Sequence, residues 1–218
     1  MSDILSIYSK IKKDIDKRLE EFSLLWENGG DLDIFKELCF CTCTPQNDAH
    51  KAWNAVLCLQ ENKLIETGAH SAVAEILRER GVRFHRNKAR YIITNREIFY
   101  PETKNKIYAL IKNKPNKPLI DVRDARDELQ KKVFGWGLKE ASHFLRNVGK
   151  GNSICILDRH IMRQLVLYNV IKEIPASITG TAYHEIEKKM LSFAEKESIP
   201  ADALDLIFWY KEKNELFK

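Results

Sequence analysis

The chain has 218 residues, a net charge of +5 and 44% hydrophobic residues, enough to bury a sizeable core in one large or two small domains. No apolar run approaches the roughly 18 residues of a membrane span, and the polar N-terminus argues against a secretory signal, so a cytoplasmic protein away from membranes is expected. Five cysteines, an odd number, argue against a disulfide framework, and the modest charge excludes a uniformly basic nucleic-acid-binding surface, leaving only local clusters.

Helical periodicity dominates from the start. Ile4, Ile7, Ile11, Ile15, Leu19, Phe22 and Leu25 form an apolar stripe that predicts a long amphipathic helix ending at Gly29 and Gly30. Asp33 begins a second helix through Phe35 and Leu38, broken by Pro45. Its Cys39, Cys41 and Cys43 invite a metal reading, but on a helix Cys41 faces away from the other two, and buried thiols are expected instead. The sequence TPQN then leads into a third helix bearing Trp53, Val56 and Leu57, where Asn47 is placed to act as its cap. Residues 71–80 predict a short helix closed by Gly81, and residues 87–99 another closed by Pro101.

Between those two lies RFHRN, in a stretch from Arg78 to Arg96 with seven lysines and arginines. Aromatics among cations suit base stacking and phosphate contact. The plainer reading puts Phe84 in the core beside a solvated charged face. A second basic patch comprises Lys104, Lys106, Lys112, Lys114 and Lys117; Pro115 and Pro118 mark a loop that could cross between lobes before Asp121 caps the next helix.

Gly135 and Gly137 flank one bulky residue, where the backbone can adopt positive φ and lie close to a partner, and Lys139 follows at once. Ala141, Phe144, Leu145 and Val148 recur at helical spacing, predicting a helix that stops at Gly149 and leaves Lys139 free at its N-terminal end; His143 shares that face and is expected to pack. After a loop, residues 154–157 are the one strand candidate, and Asp158 is placed to cap a helix over 159–169. Pro175 breaks the chain, Tyr183, Ile186, Met190 and Phe193 restore a helical stripe, and Pro200 suits the first turn of a last helix. On that helix Asp205 and Trp209 share a face, ordinarily a core tryptophan with a nearby surface acid. The chain reads as all-α, without repeats.

The segment 133–163 resembles the helix-hairpin-helix DNA glycosylase superfamily. Val133, Gly135, Gly137 and Lys139 fill its hairpin pattern, and Asp158 arrives nineteen residues after the lysine, followed by His160. The words LKEASHFLRNVG and ILDRH are similar to the 8-oxoguanine DNA glycosylase/lyases of archaea and some thermophilic bacteria, with weaker likeness in ELCFCTCT, GVRFHRNKARYI and LDLIFWY.

The resemblance implies one compact, monomeric unit of two helical lobes with a cleft between them, residues 34–117 forming one and 1–33 plus 118–218 the other, which carries the hairpin. It implies a double-stranded DNA partner containing 8-oxoguanine, with Gly135, Gly137 and His160 at phosphates. Gln46 and Asn47 would push into the base stack or read the base left behind. Phe84, Asp205, Trp209 and Lys218 would form the lesion pocket, Trp209 stacking on the base. No cofactor or metal is expected to be required, although the hairpin carbonyls can hold a monovalent cation beside a DNA phosphate. The absence of cysteine after Cys155 excludes the four-cysteine iron–sulfur cluster of the endonuclease III relatives.

The resemblance makes Lys139 and Asp158 the catalytic pair. A neutral lysine amine can attack the sugar C1′, form a Schiff base and permit β-elimination of the 3′ phosphate. Free lysine is protonated at neutral pH, so the surroundings must favour the neutral amine. Asp158 would stabilise the positive charge developing on the sugar or hold the lysine. The base must be flipped out of the duplex, and an acceptor facing its N7 proton would select 8-oxoguanine over guanine. Two alternatives stay open: another lesion such as an oxidised pyrimidine, or a non-catalytic helix-hairpin-helix DNA-binding module, which would need the glycines but not the catalytic pair.

Overall fold

The computed structural model describes residues 3–111, 121–178 and 180–218, the side chain of Ile111 excepted. The loop prolines Pro115 and Pro118 and the basic residues Lys112, Lys114 and Lys117 lie outside the described residues. Among the described residues there are twelve helices and no strand: α1 (Asp3–Asn28), α2 (Asp31–Cys43), α3 (Ala49–Glu61), α4 (Leu64–Thr67), α5 (His70–Glu79), α6 (His85–Phe99), α7 (Thr103–Ile111), α8 (Val122–Lys132), α9 (Leu138–Asn147), α10 (Arg159–Leu167), α11 (Gly180–Lys196) and α12 (Ala201–Lys213). No described helix is long and apolar enough to cross a membrane.

Caps decide where several helices begin. α2 starts two residues before Asp33, because Gly30 is the N-cap and Asp33 reaches back to accept the Gly30 N–H at 3.0 Å. α3 is capped by Asp48, which accepts the Lys51 N–H at 3.0 Å, so Asn47 is not the cap. α8 and α10 are capped as expected, by Asp121 and Asp158. Pro200 is the N-cap of α12 rather than part of its first turn. The apolar run 154–157 is buried without becoming a strand: Glu187 accepts the Cys155 N–H at 2.8 Å, the Tyr183 hydroxyl accepts the Leu157 N–H at 3.3 Å, and that hydroxyl donates to the Cys155 carbonyl at 2.6 Å. Side chains of α11 supply the partners that a neighbouring strand would have given.

The chain divides into two units. The first comprises Met1–Leu24 and Leu145–Lys218; α12 packs there against α10 and α11, and Ile4, Ile15, Leu165, Met190, Leu204 and Phe208 are buried. The second is Leu25–Phe144, in which α2 packs against α3, α6 and α7, and α5 lies along α6. Ile34, Phe35, Leu38, Leu59, Leu77 and Ile92 are fully buried in it. These boundaries differ from a division at 34–117. α8 packs on α7, and the loop after α8 is tied by hydrogen bonds to Asn95 of α6 and Thr42 of α2, so the hairpin goes with the second unit.

Candidate active site

The hairpin joins α8 to α9 and is held from beneath by one buried amide. Asn95 donates from Nδ2 to the Phe134 carbonyl at 3.1 Å and accepts the Phe134 N–H on Oδ1 at 2.7 Å. This clamp is not legible from residue order alone, since an asparagine inside a helix carries no turn signal. Gly135 has φ +87°, and a Cβ there would meet the Tyr91 ring at 2.5 to 2.9 Å, so both conformation and space demand glycine. Gly137 does not share the positive φ; its N–H donates to Glu140 Oε2 at 3.0 Å, leaving α9 with a carboxylate folded back over its first turn. Phe134 projects outward at 45% exposure, edge-on to Tyr91, with the Arg90 guanidinium 5.6 Å from the Tyr91 ring and 5.9 Å from the Phe134 ring.

A left-handed conformation forced on a residue with Cβ costs about 1–2 kcal/mol, and a rigid ring in the way adds about 1–3 kcal/mol. Gly135→Ala is therefore expected to lower unfolding stability by about 2–5 kcal/mol in a denaturant titration and to weaken duplex binding.

Lys139, in the first turn of α9, is not free as its helix position suggested. Its side chain is only 21% exposed, and its Nζ lies 3.3 Å from Thr44 Oγ1 and 3.4 Å from Glu140 Oε1. Thr44 closes α2, and its hydroxyl donates to the Cys41 carbonyl at 3.0 Å, so its lone pairs are what Lys139 meets. Beneath it Lys88 of α6 is buried and donates to the carbonyls of Cys43 at 2.7 Å and Pro45 at 2.8 Å. Burial pushes the Lys88 ammonium down to about 8, with the Lys139 charge adding to the effect. The inward position of Lys88 was not legible in the sequence, since a lysine within a cationic run gives no hint of facing inward. His143 packs as expected, edge-on to Phe40 at 5.4 Å. All five cysteines are buried free thiols, and burial holds Cys43 up at about 12. Cys41 is as buried as its neighbours because α2 is covered on all sides.

Two surface elements of the same unit carry further expected residues. After Thr44 the chain turns, Asn47 N–H donating to the Thr44 carbonyl at 3.0 Å. Gln46 is exposed with φ +53°, and Asn47 Nδ2 is buried with no hydrogen-bond partner among the described residues. Phe84 is not core: it precedes α6 in a left-handed conformation, 51% exposed, with the Arg83 guanidinium 5.6 Å from its ring. With Arg78, His85, Arg86 and Asn87 it lines an open depression of about 620 Å³. An exposed aromatic beside cations has the chemistry that suits base stacking.

In the other unit Asp158 accepts the Ile161 N–H at 2.8 Å, capping α10 with one oxygen. His160 makes a short contact with Glu212, from which Arg163 lies 3.9 Å, and its ring meets Trp209 edge-on at 5.7 Å. The expected burial of Asp205 and Trp209 is reversed. Asp205 is buried and pairs with Arg146 at 3.1 Å, whose guanidinium lies over Phe22, while Trp209 is partly exposed. Helical phase alone could not tell which of two residues on one face lies deeper. Trp209 Nε1 is buried without a hydrogen-bond partner among the described residues, and Lys218 is partly covered.

A helical chain in which a glycine hairpin presents a lysine at a helix start, and an aspartate caps a later helix, has the make-up of a helix-hairpin-helix DNA glycosylase. Residues 15–199 match the family model described as 8-oxoguanine DNA glycosylase. A Fusobacterium nucleatum protein named 8-oxoguanine DNA glycosylase/AP lyase is 41% identical, over 100% of this chain and 97% of its own. The crystal structure of the 8-oxoguanine DNA glycosylase of Thermotoga maritima superposes with a TM-score of 0.85 at 30% identity, covering 99% of this chain and 97% of that one. That of the Methanocaldococcus jannaschii 8-oxoguanine glycosylase/lyase with a 15mer DNA containing 8-oxoguanine gives 0.85 at 30% identity, covering 100% of both. The chain belongs to the 8-oxoguanine DNA glycosylase family.

Proposed function

We propose that this chain excises 8-oxoguanine from double-stranded DNA and cleaves the strand at the resulting abasic site, with Lys139 as nucleophile. The observation that carries this reading is the Lys139 amine itself, held at the start of α9 with its Nζ on the Thr44 hydroxyl. Attack of the neutral amine on C1′ releases the base; the sugar ring opens to an imine, and loss of a C2′ proton expels the 3′ phosphate. Asp158 has one oxygen bound to the Ile161 N–H, and its negative charge would offset the positive charge that develops on the sugar.

Gly135 lets the hairpin backbone approach a phosphate, and His160 would take another. The Gly137 N–H is already given to Glu140, so its use by a phosphate requires that carboxylate to let go. Gln46 on its exposed turn would enter the base stack, and the unpartnered Asn47 amide would read the base left behind. Phe84 and Trp209 offer faces for the extruded lesion, Asp205 anchors the Trp209 helix through Arg146, and Lys218 would reach the lesion pocket. No cofactor is needed for these steps. A monovalent cation beside a phosphate would be held by hairpin carbonyls; those of Val133 and Phe134 each accept one N–H and keep a second lone pair. We place the monomeric enzyme in the cytoplasm, with the nucleoid DNA it acts on.

A panel of duplexes bearing single lesions tests this reading. The expected result is release of 8-oxoguanine, with oxidised pyrimidines left in place. Preferred release of a pyrimidine lesion, or no release at all, would contradict it. Lys218→Ala is expected to lower 8-oxoguanine release about tenfold while sparing cleavage at preformed abasic sites, because only the former needs the lesion pocket.

A further inference from the structure

Two lysines converge on the end of α2. Lys139 reaches Thr44 from above through its hydroxyl, while Lys88 binds the carbonyls on either side of that residue, those of Cys43 and Pro45. The last carbonyls of a helix lack intrahelical partners and carry the negative end of its dipole. Left alone, that end would hold a nearby lysine as its ammonium. The buried Lys88 ammonium donates to the Cys43 carbonyl, the last of α2, and to that of Pro45 just beyond the cap, and so offsets that negative end.

We propose that Lys88 is a positioning residue for the Lys139 nucleophile: it fixes the Thr44 hydroxyl on which the amine rests, and its charge opposes protonation of that amine. The inference rests on the assignment of Lys139 made above. Within this unit the charged and titratable groups around the two lysines are Glu140, 3.4 Å from Lys139 Nζ, Arg83 on the loop before α6, and the Cys43 thiol. Glu140 acts the opposite way to Lys88, and Cys43 is held in its neutral form by burial. Lys88 itself, brought down to about 8, stays largely charged at neutral pH, where the repulsion is needed. Pro45 leads directly into Gln46, so the same ammonium also anchors the turn that carries Gln46 and Asn47.

The test is the pH dependence of single-turnover cyanoborohydride trapping on an abasic-site duplex, with folding checked by circular dichroism. Lys88→Met is expected to move the acid limb of the profile upward by about one unit, so that trapping at neutral pH falls about tenfold. Lys88→Arg keeps the charge and is expected to keep the wild-type limb. Thr44→Val removes the hydroxyl and is expected to lower the plateau several-fold without moving the limb. A Lys88→Met profile that superimposes on wild type, or a Lys88→Arg limb displaced as far as that of Lys88→Met, overturns the proposal. Should Lys88→Met fail to fold, Thr44→Val decides: a wild-type plateau overturns the proposal. An adduct that survives Lys139→Gln would remove the nucleophile assignment itself, a failure recognised independently of the Lys88 variants.

Discussion

Lys139→Gln is expected to abolish base release and strand cleavage together, lowering single-turnover excision of 8-oxoguanine by about a thousandfold or more. Glutamine is one atom shorter but keeps a hydrogen-bond donor directed toward Thr44, and its amide nitrogen has no lone pair fit to attack C1′. Two properties separate loss of chemistry from loss of fold. The side chain sits in the first turn of α9, where glutamine is about as good a helix former as lysine; Thr44 is uncharged, and the largely buried Glu140 carboxylate keeps the Gly137 N–H when it loses the Lys139 ammonium. Stability should therefore fall by no more than about 1 kcal/mol, and duplex binding should persist if, as proposed, the hairpin grips DNA through backbone and glycines. A variant that bound DNA and still cleaved abasic sites would show the strand scission to be separate from Lys139.

The second large effect concerns Asp158, which has both a structural and a proposed chemical duty. Its Oδ1 accepts the Ile161 N–H at 2.8 Å. Asparagine caps helices about as well as aspartate, so Asp158→Asn is expected to change stability by less than about 0.5 kcal/mol, whereas Asp158→Ala loses about 1 kcal/mol with the cap. Activity should divide differently. Both replacements remove the negative charge, and both should lower excision about 100-fold or more, the scale for losing an electrostatic partner of a transition state. Rates and melting curves of the pair, measured side by side, check this. If Asp158→Asn excises like wild type, Asp158 is a cap and nothing more.

Helices were legible wherever an apolar stripe or a capping residue announced them, as in α1, α8 and α10. α4 and α7 were not foreseen. α4 has four residues, too short for a period to register, and both owe their place to packing against α3 and α2. In the hairpin the glycines were readable, but which of them needed positive φ was not, since that depends on the Tyr91 ring lying against one and the Glu140 carboxylate closing over the other. Residues that act by being buried were the least visible. Lys88, Asn95 and Arg146 look like surface polar residues in sequence, and only tertiary contacts with backbone carbonyls or a buried carboxylate turn them inward. Conversely, Phe84 and Trp209 look like core aromatics and lie partly open. In both cases local pattern reports a residue's preference while the fold decides its surroundings, and departures of this kind gather where a chain handles a ligand.

The most direct measurement is borohydride reduction of the enzyme on an 8-oxoguanine duplex, followed by proteolysis and mass analysis of the DNA-linked peptide. A single adduct on the Lys139 side chain, absent from Lys139→Gln, is the predicted result. An adduct on any other lysine or on the N-terminal amine, or the same adduct yield from the variant, would contradict the account.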